Sequence, residues 1–522
     1  MPTYLTPGVY VEEVPSSSAT LSSGPTAVAA FVGFTAKAPT DDPSDPEGAK
    51  PRLVTNWTQF EKLYGGFVEG AVLPLSVYGY FNNGGSMAYI VRIPNTVPSN
   101  EPAHLALTSG DRALGPAVEF TTTEPDADVT VTINPEPGTD DGDDDAPPTF
   151  EVIVSGDGDD EPETFSGVTL GSISDSINGT STKVQVETMI DVDQLAADLQ
   201  TIPTGSFEVE KAAPTTVPVP GKAFNGSESA RTGISGLVIA EDVTMVMVPD
   251  LVTAATKDDG SIDMGMWKSV QLALINHCEA EANRMAVLDA PPGMSPQQVK
   301  EWRSDEAMYD SAFAALYYPW INVDNPAASN GNTTINVPPS GHLAGVWART
   351  DETRGVWKAP ANEIVRGALD VELNITKAEQ GLLNPIGINC IRPFGTQGIR
   401  VWGARTLASN TDWRYINVRR LFNTIETAIM NGTQYAVFEP NDQTLWEGLK
   451  RTVGSYLRGM WRDGALFGST AEQAFYVKCD EETNPPDSID AGKVVVEVGI
   501  APVKPAEFVI FRIAQIKDDG GE

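Results

Sequence analysis

The stretch that decides the fold is Val243-Thr244-Met245-Val246-Met247-Val248-Pro249-Asp250, an apolar run that ends abruptly at a Pro-Asp pair. Short apolar runs bounded by turn residues are typical of strands buried on both faces. A second such run, Met285 to Asp289, follows a segment from Met266 to Arg284 whose apolar residues recur at helical spacing (Trp267, Val270, Leu274, Cys278). The order strand, helix, strand predicts an α/β fold with a parallel sheet.

The same pattern occurs nearer the N-terminus. Thr26 to Phe34 is an apolar run, two helices are predicted near Asn56 to Tyr64 and Leu73 to Phe81, and Ala88 to Ile93 is a further strand. Because the pattern stops and later resumes, we predict one discontinuous α/β middle domain made of residues 25–100 and 231–386. At 522 residues the chain exceeds what a single core usually supports, so several domains are expected.

The segment between the two halves, residues 101–230, differs in chemistry. It holds 26 acidic and 4 basic residues of a chain whose net charge is −36. Alternating runs separated by Asp, Gly and Pro predict an inserted β-rich, outward-facing acidic domain. Its carboxylate clusters, 140–145 and 157–161, lack calcium-loop spacing: counted from Asp141, Ala146 and Val152 stand where Gly and Glu are needed. We therefore interpret them as solvated loop tips and predict no metal site.

Several functional classes lack their signatures. There is no phosphate-binding Gly-Lys-Ser/Thr loop, signal peptide or apolar run long enough to cross a bilayer, and the negative charge argues against nucleic acid as a partner. The three cysteines are scattered and predict buried apolar residues rather than metal ligands. Asp250 and Asp289, at strand ends, suit an active site, but no nucleophile or base accompanies them. Ser340 and His342, which are close to each other in sequence, could suggest a nucleophile and a base, but we interpret them as residues that shape a loop. We predict no enzyme activity and no cofactor.

The C-terminal block, residues 387–505, contains two predicted helices, Asp412 to Met430 and Asn441 to Trp461. In the second helix Arg451, Arg458 and Arg462 lie seven and four residues apart and share a face, with Lys450 beside it. From Cys390 to Lys478 there are 11 basic and 7 acidic residues, so an acidic partner is expected. The alternative is that these side chains pair with carboxylates of their own domain or of a neighbouring subunit.

Both chain ends are predicted to be lone β-strands. The first contains Val9, Tyr10, Val11, Glu12 and Val14 between two prolines, and the Ser/Ala/Gly-rich residues 16–24 that follow have the composition of a linker. The last strand comprises Phe508, Val509, Ile510, Phe511, Arg512 and Ile513, and the chain then ends in an acidic tail. A strand needs an edge to pair with. These arms either complete a sheet of their own subunit or pair with another copy.

Ten stretches in order resemble the sheath proteins of contractile phage tails and of phage-tail-like contractile injection systems. They are Pro7 to Glu13, Gly84 to Arg92, Val243 to Leu251, Tyr317 to Trp320, Val337 to His342, Lys358 to Asn362, Leu383 to Asn389, Val401 to Leu407, Tyr415 to Leu421 and Phe438 to Asp442.

This resemblance implies stacked hexameric rings forming a helical sheath around an inner tube, powered by the metastability of the extended state. It implies a C-terminal sheath domain (387–505) facing the tube through Lys450, Arg451, Arg458 and Arg462, and exchanged strand arms (1–24 with its linker, and 506–522). The implied partners are further copies, the inner tube protein, and baseplate and terminal cap proteins, with no direct membrane insertion. The particle would assemble in the bacterial cytoplasm and act as a phage tail or an injection particle. The alternatives are an adhesin-like cell-surface protein with an acidic β-domain and an α/β hydrolase.

Overall fold

The computed structural model describes residues 21, 24–40, 46–97, 102–108, 115–124, 128–136, 147–156, 161–196, 199–209, 215–328 and 333–513. The chain divides into two compact units. Unit 1 comprises Met1–Pro94 and Val219–Glu522, and unit 2 comprises Asn95–Pro218. Among the described helices, none combines the length and apolarity that a membrane span requires.

The strands are β1 (Val28–Gly33), β2 (Arg52–Val54), β3 (Met87–Arg92), β4 (Thr96–Val97), β5 (His104–Thr108), β6 (Pro116–Thr122), β7 (Thr130–Pro135), β8 (Phe150–Ser155), β9 (Glu163–Val168), β10 (Val184–Thr188), β11 (Gly205–Glu208), β12 (Thr215–Thr216), β13 (Met245–Met247), β14 (Met285–Asp289), β15 (Ala314–Tyr318), β16 (Ile321–Asp324), β17 (Thr334–Val337), β18 (Asp370–Val371), β19 (Ile388–Pro393), β20 (Ile399–Val401), β21 (Phe475–Lys478) and β22 (Glu497–Ile500). The α-helices are α1 (Trp57–Tyr64), α2 (Leu73–Asn83), α3 (Ile173–Asn178), α4 (Gly221–Asn225), α5 (Gly233–Gly236), α6 (Leu251–Ala255), α7 (Met264–Glu281), α8 (Pro296–Glu301), α9 (Ser340–Arg354), α10 (Lys377–Leu383), α11 (Ile416–Gly432), α12 (Gln443–Arg462), α13 (Ala471–Ala474) and α14 (Pro486–Asp490).

Unit 1 is built on an eight-stranded sheet in the order β2-β3-β1-β13-β14-β15-β19-β20. The six strands from β3 to β19 run parallel, and the edge strands β2 and β20 are antiparallel to their neighbours. Strand β1 pairs with β3 on one side and with β13 on the other, although β13 follows it by more than 200 residues. The predicted α/β class and the parallel sheet are therefore confirmed.

Both faces of this sheet are covered. Along β1, Val28, Ala30 and Val32 belong to one apolar core and Ala29 and Phe31 to the other, and all five are fully buried. Helix α7 packs into the first core, whereas α2 and α9 pack into the second. This double coverage explains why the strands have continuous apolar runs instead of alternating ones.

The last part of unit 1 is organised by α11 and α12. Their apolar faces meet in a core that includes Leu421, Ile425, Val453 and Leu457, all nearly or fully buried. The two-stranded antiparallel sheet β21–β22 packs against this core through its inward side chains, Phe475, Val477, Val498 and Ile500. Both helices lie close to their predicted positions, and Asp442 caps the start of α12 by accepting the Leu445 N–H.

Unit 2 is rich in β-structure. It contains a three-stranded sheet (β10-β6-β5), a four-stranded sheet (β11-β7-β8-β9) and the two-stranded pair β12–β4. Its buried apolar residues form a core of their own, from Ala103 to Val209. The two ends of unit 2 meet, because β4 pairs with β12 and the Val217 N–H donates to the Asn95 carbonyl at 2.8 Å.

Candidate functional site

Residues 508–513 expose a run of large apolar side chains. Phe508, Val509, Ile510, Phe511 and Ile513 are 73%, 70%, 79%, 84% and 96% exposed, and none of these residues belongs to a described helix or strand. Burying one such side chain contributes roughly 1.5–3 kcal/mol. A run of apolar side chains this exposed is typical of an interaction site.

The sheet β21–β22 has open edges. Within the described residues it has only two strands, so each strand has one outer edge without a sheet partner. One face packs on the α11–α12 core, while Tyr476 on the other face is 58% exposed. An edge strand with unpaired N–H and C=O groups is a template for adding a strand from another chain.

The chain is held firmly just before the exposed run. The Glu507 carboxylate accepts hydrogen bonds from the Arg405 guanidinium at 2.6 and 2.9 Å and from the Asn384 amide at 2.7 Å. The Tyr415 hydroxyl donates to it at 3.3 Å. We call these four residues the Glu507 cluster. The C-terminal arm thus leaves unit 1 from a defined point.

The N-terminal strand residues Val9, Tyr10, Val11, Glu12 and Val14 lie outside the described residues. Leu21, within the predicted linker, is buried against the α11–α12 core, with 8% of its surface exposed. It fits because Gly432, the last residue of α11, has no side chain: a Cβ there would stand 1.7 Å from Leu21 Cδ2. The linker composition gave no sign that one of its residues is held in a core.

The proposed tube-facing cations lie on α12. Arg451, Arg458 and Arg462 are exposed, and none of them has an ion pair within 4 Å among the described residues. Lys450 differs, because its ammonium contacts Glu447 at 2.5 Å one turn earlier. The pKa of Glu472 is lowered mainly by hydrogen bonds from its own backbone and from Thr470, with a smaller contribution from nearby Arg458. The three arginines thus form an exposed basic face, and Lys450 is partly neutralised within its own helix.

Other cations of the C-terminal block serve internal pairs. Arg420 is buried and bridges Asp351 at 2.5 and 2.8 Å, and Arg419 pairs with Glu426 at 2.9 Å while lying over the Trp413 ring. Arg405 in the Glu507 cluster is a third arginine of the block that binds a carboxylate of the same chain. Internal pairing thus accounts for these three arginines, which are not among the four residues predicted to face the tube.

The two strand-end aspartates cap helices. Asp250 is fully buried and accepts three backbone N–H groups, those of Phe34, Val72 and Leu73, at 2.5 to 3.2 Å. It thereby provides hydrogen-bond acceptors for the backbone N–H groups at the start of α2, a helix that has no side-chain cap from its own N-cap residue. Asp289 accepts the Ser340 N–H at 2.9 Å at the start of α9. Burial raises the pKa of both carboxyls to about 7.

Ser340, Gly341 and His342 form the first turn of α9 and pack against α2. His342 lies against Gly79, where a Cβ would stand 2.3 Å from the imidazole, and burial lowers the pKa of His342 to about 4. Ser340 and His342 are thus packing residues of a helix interface rather than the loop that was predicted. In the described parts of the chain, no group of three or more His, Cys, Asp or Glu side chains is arranged to hold a metal ion.

Comparisons with known proteins agree on one family. A family model described as the phage tail sheath protein central domain matches residues 241–407, and one described as the phage tail sheath C-terminal domain matches residues 408–516. Together they cover more than half of the chain. The tail sheath protein of Vibrio phage KVP40 is 30% identical over 187 residues, which are 35% of this chain and 27% of that protein. The chain spans less than two thirds of the length of the first curated relatives it matches.

Solved structures resemble the chain over nearly its whole length. The helical sheath of the anti-feeding prophage in the contracted state is 25% identical, with a TM-score of 0.56 over 98% of this chain and 100% of that one. The sheath complex of the extracellular contractile injection system PVC, also contracted, is 24% identical, with a TM-score of 0.57 over 99% of both chains. Nothing in these matches favours the adhesin-like alternative.

Proposed function

We propose that this chain, which belongs to the contractile tail sheath family, polymerises as stacked hexameric rings around an inner tube and contracts to drive that tube through a target envelope. The observation that carries the proposal is that one subunit has two complementary features. They are an exposed apolar segment, residues 508–513, and a two-stranded sheet with open edges, β21–β22. Each feature lacks what the other supplies.

The C-terminal arm of one copy adds a strand to the β21–β22 sheet of another. About five backbone hydrogen bonds worth roughly 0.5–1.5 kcal/mol each form in such a pairing. Burial of the apolar arm residues adds to this. The N-terminal arm, with Val9, Tyr10, Val11, Glu12 and Val14, plays the equivalent part at the other end of the chain. The predicted domain bounds, with a middle domain of residues 25–100 and 231–386 and a C-terminal domain of residues 387–505, remain part of the proposal.

The energy for contraction is stored in the extended lattice. Sheath subunits in the extended state are trapped, and contraction releases free energy because it forms more contact between subunits. The chain lacks a phosphate-binding loop, and the proposal needs neither nucleotide hydrolysis nor enzyme activity. A baseplate triggers the change, and a terminal cap closes the sheath at its other end.

The exposed arginines of α12 hold the tube in the extended state. An exposed charge pair contributes up to about 1 kcal/mol. Many such pairs together hold the sheath on the tube, and because each pair is weak, they can separate when the subunits turn. Arg451, Arg458 and Arg462 are the principal candidates, facing an acidic tube surface, and Lys450 contributes less because Glu447 already neutralises it.

The matched relatives include phage tail sheaths and sheaths of contractile injection particles, so the proposal covers both settings. The particle assembles in the bacterial cytoplasm and works either as a phage virion tail or as a released injection particle. In both settings the sheath contacts its own copies, the tube, the baseplate and the cap, without nucleic acid and without inserting into a membrane.

The proposal is tested by electron microscopy of the purified chain, alone and with its cognate tube protein. We expect rings or tubular sheaths for the full chain, and folded subunits that do not assemble after removal of Met1 to Pro15 or of Phe508 to Glu522. A full chain that stays monomeric at high concentration, even with the tube protein, contradicts the proposal.

The basic face of α12 has its own test. Replacing Arg451, Arg458 and Arg462 with Glu is expected to lower co-sedimentation with the tube at least tenfold while arm-mediated assembly persists. The matched control replaces Arg354, Arg366 and Lys377 with Glu, since these cations are also exposed and give the same charge change. Equal tube binding by both triple variants would remove the arginines from the tube contact.

A further inference from the structure

We propose that the Glu507 cluster is a clamp that fixes the point at which the C-terminal arm leaves its own subunit, so that a pull on the arm by a neighbouring copy reaches the subunit without slack. The inference rests on the proposed function, because the partner of the arm is a second copy of this chain.

The clamp is built from one carboxylate and three partners that are distant in sequence. Arg405 donates to both Glu507 oxygens, Nε to Oε1 at 2.9 Å and Nη2 to Oε2 at 2.6 Å. Asn384 donates to Oε1 and Tyr415 to Oε2. Arg405 and Glu507 side chains are only 12% and 20% exposed. Bidentate pairing of this kind sets direction as well as strength.

Arg405 is itself tied to the main sheet. Its backbone N–H donates to the Asn389 side chain at 2.7 Å, and its Nη1 donates to the Asn384 carbonyl at 3.2 Å. Asn389 lies in β19, is fully buried, and donates in turn to the Leu316 carbonyl of β15 at 3.2 Å. A force on Glu507 is therefore passed to the eight-stranded sheet through directed hydrogen bonds.

The carboxylate is charged at neutral pH. Partial burial acts to raise the pKa of Glu507, but hydrogen bonds from Arg405 and Asn384, together with the Arg405 charge, outweigh it and hold the pKa below its usual range. The ionic contact between Arg405 and Glu507 therefore persists wherever a sheath has to work near neutrality.

The position of the clamp sets the free length of the arm. Upstream, Val503 is held by two hydrogen bonds, its N–H to the Ala465 carbonyl at 3.3 Å and its own carbonyl accepting from Asn417 at 3.1 Å. Downstream, Phe508 is already 73% exposed. Without the clamp, residues 504–507 could straighten until they spanned at most roughly 14 Å, and only then would tension reach Val503. A neighbour whose movement only straightened these residues would not pull its partner.

The clamp is tested first on the unassembled full chain. A spin label is placed at Ala506→Cys, an exposed site, while the three native cysteines are buried and escape labelling. Glu507→Ala is expected to shorten the rotational correlation time of the label at least twofold, and Glu507→Gln to act in the same direction. The control is Glu47→Ala, which removes a surface ion pair with Lys50 in the same unit and should leave the label unchanged.

Two outcomes overturn the clamp. One is an unchanged correlation time of the label in Glu507→Ala, and the other is a fall in melting temperature large enough for destabilisation of the whole unit to explain the faster label. A faster label with an unchanged melting temperature supports it, because a residue that only stabilised the fold would not act on the arm alone.

The second test uses assembled sheaths. Glu507→Ala sheaths are expected to form, since the arm strand is intact, but the fraction that contracts fully after triggering should fall at least threefold. The Glu47→Ala sheath should contract normally. Full contraction of Glu507→Ala sheaths overturns the role in force transmission. If the unmodified chain forms no sheath, the proposed function fails and the force-transmission role fails with it, whereas the spin-label result stands or falls independently.

Discussion

Asp250 and Asp289 follow neighbouring strands of a parallel sheet, at the edge where α/β enzymes place catalytic groups. Here each carboxylate holds the start of a helix from a distant part of the chain, α2 for Asp250 and α9 for Asp289. Residue type and position alone therefore do not separate a catalytic aspartate from a capping one. The difference lies in the partners: backbone N–H groups occupy the carboxylate oxygens.

Asp289 gives a pH prediction. Its pKa is raised by burial to about 7, so in the folded state the carboxyl is mostly protonated at pH values below about 7. A raised folded pKa means that this contribution to stability is fully present below the unfolded pKa of about 3.9 and is lost as pH rises through about 7. Asp289→Asn keeps an acceptor for the Ser340 N–H but cannot ionise. The free energy of unfolding of the variant should therefore rise relative to the unmodified chain from pH 5 to pH 8, measured by urea titration.

The control for this experiment is Asp310→Asn. Hydrogen bonds from Ser409 lower the pKa of Asp310, which is mostly exposed, so this carboxyl is ionised throughout the range from pH 5 to pH 8. Its variant should show a difference from the unmodified chain that does not vary with pH. A flat difference for Asp289→Asn as well would contradict the assignment.

At the scale of elements, α11 and α12 lie close to their predicted positions. Helix α12 was recognisable because its apolar residues recur at helical spacing and Asp442 precedes it. Nothing in the sequence pointed to the β21–β22 sheet, since its strands have four residues each and are separated by 18 residues. Glu507 gave no signal because its partner Arg405 lies 102 residues away and nothing in a single sequence reports that contact.

The two faces of the arm segment 508–513 differ in charge. In a strand, residues 508, 510 and 512 point one way and residues 509, 511 and 513 the other, and only the first face carries a charge, that of Arg512. The second face can be buried completely, whereas the first must keep Arg512 in contact with water or pair it.

This asymmetry predicts unequal effects from chemically matched changes. Replacing Phe511 and Ile513 with Ser should raise the critical concentration for assembly more than replacing Phe508 and Ile510 with Ser, although each pair removes one Phe and one Ile. Sedimentation across a concentration series measures the difference. Equal effects of the two double variants would contradict pairing of the arm as a regular strand.

At the scale of the whole molecule, the chain consists of two units with separate apolar cores. The described residues of the segment 95–218 have an apolar core of their own, and the two points where the chain enters and leaves the segment are joined by the β4–β12 pair. The change in composition along the sequence indicated an inserted module, but its bounds could not be placed to the residue because Asn95 and Val217 meet only in the folded chain.

Replacing residues 95–218 with a short Gly/Ser linker should leave unit 1 folded. Its ends are already adjacent, so the linker has little distance to span, and every core residue of unit 1 is retained. We expect a cooperative thermal transition and arm-dependent assembly to persist. Loss of cooperative unfolding in the shortened chain would show that unit 1 depends on the deleted residues.

The β4–β12 pair also makes this position suitable for grafting. A foreign domain whose termini lie close together could replace unit 2 without straining the strands of the main sheet. Because a sheath repeats its subunit many times, each graft would be displayed in every copy at a fixed spacing along the polymer. A polymer of such grafted subunits would be a scaffold for regularly spaced enzymes or antigens.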